Sequence, residues 1–233
     1  MIMDRPAKAL PRDHREQDRR LVILAVLSSI FLLNDFLFMA SRGYVQWLLI
    51  DYGSRLLAIL FVLILIKRGI SRPADFGLRR IPFRPGLLWA LLLTGVGILI
   101  DQVGWRFFEK ILPFTQLVSM PKIESPALNV IDLTLGVLLV AASEEIVFRG
   151  CCYHALHDRM GPWLLVPLSA VLFGFIHWST GLHAVVSTAI WGVLPMVAMI
   201  RTGSVIPGMI AHYLTDLVSL GGFVPDSWFW FLK

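Results

Sequence analysis

Charged residues are scarce in this chain. Asp, Glu, Lys and Arg make up 16% of its 233 residues, whereas 57% are hydrophobic and the mean hydropathy is +0.73. Soluble domains carry roughly a quarter charged residues, so this composition excludes an ordinary soluble domain and indicates lipid surroundings. The length suffices for about six to eight membrane-spanning helices of roughly 20 residues each. It leaves little room for a separate soluble domain.

Cysteine and internal repetition are also nearly absent. The two cysteines, Cys151 and Cys152, are adjacent, and adjacent residues rarely reach disulfide geometry. A disulfide framework is therefore excluded, and the pair is interpreted as small packing residues. No internal repeat is visible, which argues against the common transporter designs. The basic runs lack a groove-reading motif, so the net charge of +5 does not indicate nucleic-acid binding.

Seven hydrophobic runs predict an all-α, polytopic membrane bundle of about seven transmembrane helices, within a range of six to eight. The runs cover residues 21–40, 44–66, 85–108, 130–157, 162–178, 182–200 and 204–220. No small-residue cleavage site clearly follows the first run, which is interpreted as a retained span. We expect residues 1–20 to form a cytoplasmic segment, 21–220 the transmembrane domain and 221–233 a short tail.

The distribution of Lys and Arg predicts the orientation. With the N-terminus in the cytoplasm, fifteen of the 21 basic residues would lie on the cytoplasmic side. The positive-inside rule therefore favours a cytoplasmic N-terminus and, with seven spans, a C-terminus on the other side. Asp51 and Arg55, four residues apart in the second run, predict a structural ion pair, with a substrate contact as the alternative.

Ionisable residues interrupt the last four runs. A charge at the centre of a bilayer costs about 2.5 to 3.5 kcal/mol on insertion scales, so such residues face a protein interior or a wet cavity. The set consists of Glu144, Glu145, Arg149, His177, His212 and Asp216.

Two adjacent glutamates differ in their predicted roles. Glu145 and Arg149 are four residues apart with the acid first, the favourable order for a helical ion pair. Glu144 is rotated by about 100° on a helix, so it is predicted to stay free of that pair and to be suited to take a proton from water. The alternative is that both acids only hold helices together.

Two histidines complete the set. Phe173 and His177 share a helix face, and Gly174 would let another helix approach closely. His212 and Asp216 are four residues apart, so the carboxylate can hold the imidazole ring, although a purely structural pair is the alternative. Glu144, His177 and His212 would suit a zinc ion. No His-Glu-x-x-His motif is present, so a metal is not required.

Three motifs occur in order on the fourth, fifth and seventh hydrophobic runs: Glu144-Glu145-x-x-x-Arg149, Phe173-x-x-x-His177 and His212-x-x-x-Asp216. Together they resemble the motifs of the CPBP family, which includes the CAAX prenyl endopeptidases and the bacterial Abi or bacteriocin-processing proteins. The resemblance covers residues 130–220, which it marks as a protease core. The compact size is similar to that of bacterial members, so a bacterial plasma membrane is expected.

The resemblance implies a glutamate-dependent peptidase with its site open toward the cytoplasm and without a required cofactor. Glu144 would activate water with help from His177, His212 and residue 216 would stabilise the oxyanion, and Glu145 with Arg149 would order the site. The third motif often ends in Asn. Asp216 can donate a hydrogen bond only when protonated, so it either carries a proton or only orients His212.

The sequence thus predicts an intramembrane endopeptidase that hydrolyses a peptide bond of a membrane-associated or prenylated, CAAX-type protein or peptide. Two other functions stay open. One is a non-catalytic scaffold or bacteriocin-immunity protein of the same family. The other is a transporter in which the acids and histidines relay protons. The substrate and the oligomeric state are not predicted.

Overall fold

The computed structural model describes residues 14–113, 115–225 and 227–229, and these residues form helices and no strands. We number seven continuous helices in chain order: α1 His14–Ala40, α2 Tyr44–Lys67, α3 Phe83–Ile111, α4 residues 126–156, α5 Pro162–Phe175, α6 Leu182–Thr202 and α7 Ile206–Leu220. The predicted all-α bundle is confirmed, and each predicted run corresponds to one of these helices. Most of residues 1–20, whose cytoplasmic location was predicted, lie outside the described part.

Four helices, α1, α2, α3 and α6, are long and apolar enough to cross a membrane. Their outward faces carry exposed leucines such as Leu49, Leu60 and Leu88, which suits contact with lipid rather than water. The protein is therefore an integral membrane protein. Helix α5 has 14 residues and is about 21 Å long at 1.5 Å per residue, shorter than the hydrocarbon core. It ends three residues before the predicted position 178, and an irregular segment follows.

Three π-helical turns interrupt α3 and α4. They comprise Ile100–Gly104 in α3, and Asp132–Gly136 and Ile146–Cys151 in α4. Each contains one charged residue: Asp101, Asp132 and Arg149 respectively. A π turn inserts one residue into the helical ladder and is frequent at functional sites. The hydrophobic pattern gave no sign of these turns, because apolar runs this long carry little periodicity.

The helices define two ends of the bundle. We call one the basic end: the start of α1 and residues 68–80, 157–161 and 203–205. Ion pairs join its parts, Arg20 to Asp158 at 3.2 Å and Arg159 to Asp18 at 2.9 Å. The Ser204 hydroxyl also donates a hydrogen bond to the Arg79 carbonyl.

We call the other the distal end: residues 41–43, 112–113, 115–125, 176–181, 221–225 and 227–229. Here the backbone N–H groups of Leu117 and Val118 both donate to the Ser179 carbonyl. The Arg106 guanidinium lies 4.1 Å from the ring centroid of Phe229, a cation–π contact. The segment between α3 and α4 thus packs against the short loop after α5.

A packed core closes the basic end. Phe76, Phe148, Cys151 and Cys152 are buried there, and neither cysteine forms a disulfide. The turn Pro73–Phe76 lies directly against α4: a Cβ added at Gly150 would come within 2.0 Å of the Phe76 carbonyl oxygen. Because only glycine permits this approach, the turn seals α4 tightly at this end.

Gly174 is expected to resist substitution. A Cβ there would lie 2.4 Å from the Val185 carbonyl oxygen on α6, which confirms the predicted close helix approach. Gly174→Ala should therefore cost about 1–3 kcal/mol of stability through overpacking. Gly95→Ala is the matched control, because a Cβ at Gly95 meets nothing within 4 Å. Thermal unfolding in detergent, followed by helical circular dichroism, measures both, and equal midpoints would contradict the packing argument.

Candidate active site

Glu144 lies in the middle of the bundle and is held by a partner from α2. Its side chain is 2% exposed, and Oε1 accepts a hydrogen bond of 2.8 Å from the Arg55 guanidinium. Oε2 is buried and has no hydrogen-bond partner among the described residues. Glu144 thus stays out of the Glu145–Arg149 pair, as predicted, but one of its oxygens has Arg55 as a partner. Arg55 also pairs with Asp51 at 2.7 Å, so the predicted pair on α2 is confirmed, and Arg55 bridges two acids.

Glu145 joins α4 to α7. Its Oε1 lies 3.1 Å from the Arg149 guanidinium, the ion pair that the spacing predicted, and 3.1 Å from Nδ1 of His212 on α7. Both Glu145 and Arg149 are fully buried. Gly208 allows the contact with α7, because a Cβ there would lie 2.7 Å from the second Glu145 oxygen. Glu145 thus holds the His212 ring, a role the sequence gave to Asp216.

Arg149 stacks on an aromatic ring. Its guanidinium carbon lies 3.9 Å from the Phe173 ring centroid and 5.3 Å from that of Trp191. Such cation–π contacts stabilise a desolvated guanidinium by about 2 kcal/mol. Phe173 of the second motif therefore stabilises Arg149 of the first motif. Spacing along a single helix could not predict this contact, because the two residues lie on different helices.

The other nitrogen of His212 faces two carboxylates. Nε2 lies 3.4 Å from Asp216 and 3.8 Å from the unpartnered Oε2 of Glu144. Trp191 lies against the ring with centroids 4.6 Å apart. The structure therefore brings residues of the first and third motifs together around one imidazole.

His177 follows the end of α5. Its Nδ1 lies 3.1 Å from the Phe173 carbonyl oxygen and makes a hydrogen bond. Because a carbonyl only accepts, Nδ1 carries the proton and Nε2 is left as an acceptor. The short loop is fixed by Asp35 of α1, which accepts a 3.0 Å bond from the Ser179 N–H. Asp35 was not predicted as a site residue, although a carboxylate within the first apolar run was a signal.

A cavity of about 440 Å³ connects these groups. Its wall includes one guanidinium, that of Arg55, and six carboxylates: Asp35, Asp51, Asp101, Asp132, Glu144 and Asp216. A smaller chamber of about 120 Å³ continues the space from Glu144 and His177 to His212. Glu144 and His177 therefore line both spaces, and His212 lines the smaller one.

The cavity lies toward the distal end. Its lining comes from the last third of α1, the end of α3, the start of α4 and the last turn of α7. Toward the basic end, a cleft of about 20 Å³ does not reach Glu144. The expected cytoplasmic N-terminus and the expected opening of the site toward the cytoplasm both stay predictions.

The donors are not arranged as a metal centre. Within residues 14–113, 115–225 and 227–229, no group of three or more His, Cys, Asp or Glu side chains is placed to hold a metal ion. Glu144 would have to give up the geometry that it shares with Arg55 to join His177 and His212 as ligands. Whether Glu144, His177 and His212 bind zinc is therefore tested by chelation and metal analysis.

Residues 126–218 match the family described as type II CAAX prenyl endopeptidase Rce1-like. The chain carries an Rce1-like domain. This confirms the resemblance to the CPBP intramembrane proteases, and the domain spans α4 to the last turns of α7. No curated protein and no solved structure matches the chain. The family is one of endopeptidases that act on membrane-associated CAAX-type substrates. Helices α1–α3, which supply Asp35, Arg55 and Asp101, lie outside the matched residues.

Arg55→Met should destabilise the protein strongly, because it leaves the buried Glu144 without its cation. Removing one partner of a buried pair costs about 3–5 kcal/mol. Adding Glu144→Gln should recover a large part of that loss, since an uncharged amide replaces the orphaned carboxylate. Arg42→Met, at an exposed position, is the matched control. The measurement is unfolding in detergent, and a double variant no more stable than Arg55→Met would contradict the pairing.

Proposed function

We propose that the chain is an intramembrane endopeptidase in which Glu144 activates the attacking water. One observation carries the proposal: Glu144 lines the cavity, and its Oε2 has no hydrogen-bond partner among the described residues and lies 3.8 Å from Nε2 of His212. A carboxylate oxygen without a competing donor is suited to accept a proton from water. The Rce1-like domain supports the reaction class.

Arg55 positions the base. Its hydrogen bond to Oε1 restricts the rotation of the carboxylate and leaves Oε2 without a donor among the described residues. The Arg55 guanidinium also forms an ion pair of 2.7 Å with Asp51, and this second contact fixes its position. Arg55 is therefore a positioning residue that the family motifs do not include.

His212 is suited to stabilise negative charge. Both ring nitrogens face carboxylate oxygens, at 3.1 Å for Nδ1 and 3.4 Å for Nε2. Carboxylates only accept when ionised, so this arrangement favours a ring that donates from both nitrogens. A donor fixed before the reaction begins can stabilise an oxyanion without reorganising. Asp216 then orients Nε2, and Glu145 with Arg149 holds the ring from the other side.

The proposed reaction proceeds by water addition. Glu144 takes a proton from a water molecule that Nε2 of His177 orients, and the water oxygen bonds to the carbonyl carbon of the scissile peptide. His212 stabilises the resulting oxyanion. When the tetrahedral intermediate collapses, the C–N bond breaks and Glu144 returns its proton to the leaving amine. This route uses no metal or cofactor.

The proposed substrates are membrane-associated proteins or peptides, prenylated CAAX-type proteins included. The wall of the cavity supplies the reason: apolar residues such as Phe31, Trp47 and Met120 lie beside the carboxylates. An extended chain segment can therefore enter with apolar side chains in contact with the wall. The site lies within the bundle, so a segment must leave regular structure to reach Glu144.

Glu144→Gln should lower the rate of cleavage by about 10²–10⁴-fold, since it removes the general base. His212→Ala should lower it by about 10²–10³-fold through loss of an oxyanion donor. Glu124→Gln, the same change at an exposed position, should keep the wild-type rate. Cleavage of the native substrate is measured, and the protein that accumulates uncleaved in Glu144→Gln cells identifies that substrate.

Full activity in both variants would rule out the mechanism. A non-catalytic role would instead leave the cellular function intact in Glu144→Gln cells. Treatment of the purified protein with a strong chelator, combined with metal analysis, distinguishes hydrolysis by Glu144 alone from zinc-dependent hydrolysis. We expect activity to persist after chelation, whereas loss of activity that zinc restores would establish the metal alternative.

A further inference from the structure

The wall of the active-site cavity contains far more acidic than basic groups, with six carboxylates and one guanidinium. We propose that this cavity binds a basic side chain of the substrate, arginine in preference to lysine, close to the scissile bond. This subsite belongs to the proposed peptidase and so rests on the proposed function. It adds a requirement that the three motifs do not contain, because Asp35, Asp101 and Asp132 lie outside them.

The cations near the cavity are already engaged. Arg55 pairs with Glu144 at 2.8 Å and with Asp51 at 2.7 Å. His212 lies 3.4 Å from Asp216. These contacts account for three of the six carboxylates and for the one guanidinium of the wall.

The other three carboxylates have uncharged hydrogen-bond donors. Asp132 accepts a 2.7 Å bond from the Tyr52 hydroxyl, Asp101 a 2.7 Å bond from the Gln102 amide, and Asp35 a 3.0 Å bond from the Ser179 N–H. Carboxylates in a bundle surrounded by lipid are costly unless they have a partner of opposite charge. A cation that enters the cavity with the substrate would supply that partner.

An unpartnered amide indicates a ligand that donates hydrogen bonds. Asn34 lines the same cavity, is 4% exposed, and its side-chain oxygen has no hydrogen-bond partner among the described residues. An amide oxygen and a carboxylate only accept hydrogen bonds. The missing partner is therefore a donor, and a guanidinium carries several N–H donors together with a positive charge.

The acidic groups are distributed around the wall instead of converging on one point. Asp35 lies on α1, Asp101 on α3 and Asp132 on α4. In the part of the chain that the structure describes, no three acidic or histidine side chains are placed to hold a metal ion. This distribution suits an extended organic cation better than a metal ion.

Aromatic rings in the wall favour arginine over lysine. Phe31, Phe38, Trp47 and Trp105 line the cavity together with the carboxylates, and the rings of Phe38 and Trp47 are stacked with centroids 3.7 Å apart. A planar guanidinium can stack on such rings while its N–H groups bond to carboxylates. Arg55 makes both kinds of contact, since it lies 5.7 Å from the Phe31 ring centroid and pairs with two acids.

Two of the three carboxylates without a cation lie in π turns. Asp101 is in the turn Ile100–Gly104 and Asp132 in the turn Asp132–Gly136. Neither takes part in the proposed reaction, whereas Asp35 fixes the loop that carries His177. Asp101 and Asp132 are therefore the positions at which recognition of a basic side chain can be tested apart from catalysis.

Peptides that differ in a single charge test the subsite. A library of peptides with an N-terminal myristoyl chain is incubated with the full-length protein in proteoliposomes, and the cleaved bonds are mapped. We expect arginine or lysine at one fixed position relative to the cleaved bond. Citrulline has nearly the shape of arginine without its charge, so replacing that arginine by citrulline should lower kcat/KM by about 10–100-fold, mainly through KM. Equal cleavage of the arginine and citrulline peptides would overturn the proposal.

Asp101→Asn and Asp132→Asn should each reduce the ratio of the arginine rate to the citrulline rate by about tenfold. Each change removes a charge but keeps a side-chain oxygen for Gln102 or Tyr52. A general loss of activity cancels in the ratio, and either variant suffices if the other fails to fold. Glu124→Gln, at an exposed position, is the matched control and should keep the wild-type ratio. An unchanged ratio in the aspartate variants would show that these carboxylates are structural.

A binding measurement distinguishes failure of the subsite from failure of the proposed function. The Glu144→Gln protein is used to select one arginine peptide from the library by binding, so that no cleavage is required. Fluorescence anisotropy should show that this peptide binds about tenfold more tightly than its citrulline counterpart, with a smaller difference at high salt. Equal binding would overturn the subsite even where peptides are cleaved. Preferential binding without any cleavage by the wild-type protein would support the subsite and contradict the proposed function.

Discussion

The hydrogen bond between Arg55 and Glu144 is the interaction on which the site depends. In a bundle surrounded by lipid, an unpaired carboxylate is costly, and a guanidinium that donates to it removes much of that cost. The bond also joins α2 to α4 across 89 residues of sequence. One contact therefore sets the orientation of the Glu144 carboxylate and the separation of two helices.

Helix α4 is the centre from which the remaining contacts extend. Glu144 reaches α2, Glu145 reaches His212 on α7, and Arg149 lies over Phe173 on α5. Adjacent glutamates can serve different neighbours because successive side chains point in different directions around a helix. Two carboxylates side by side, which look redundant in the sequence, thus have separate partners.

The sequence predicted what depends on local spacing. The seven helices follow from hydrophobic runs, and the pairs Asp51–Arg55 and Glu145–Arg149 follow from i, i+4 geometry. Contacts between helices could not be predicted in this way. The spacing within α2 already paired Arg55 with Asp51. It gave no reason to expect that Arg55 also pairs with Glu144 on another helix. The catalytic roles of the six predicted residues remain proposals. The structure places Glu144, His177, His212 and Asp216 around one chamber, and Glu145 with Arg149 lies behind His212.

The π turns change what a small genetic alteration does to this protein. Each wide turn is equivalent to a single inserted residue. Removing one residue from Ile146–Cys151 would restore an ordinary helix and rotate one side of α4 relative to the other by about 100°. The glutamate pair lies before this turn and the buried Cys152 after it. The orientation of the two parts of α4 relative to each other therefore depends on the number of residues in this turn. A one-residue deletion can change that orientation without removing any residue of the three motifs.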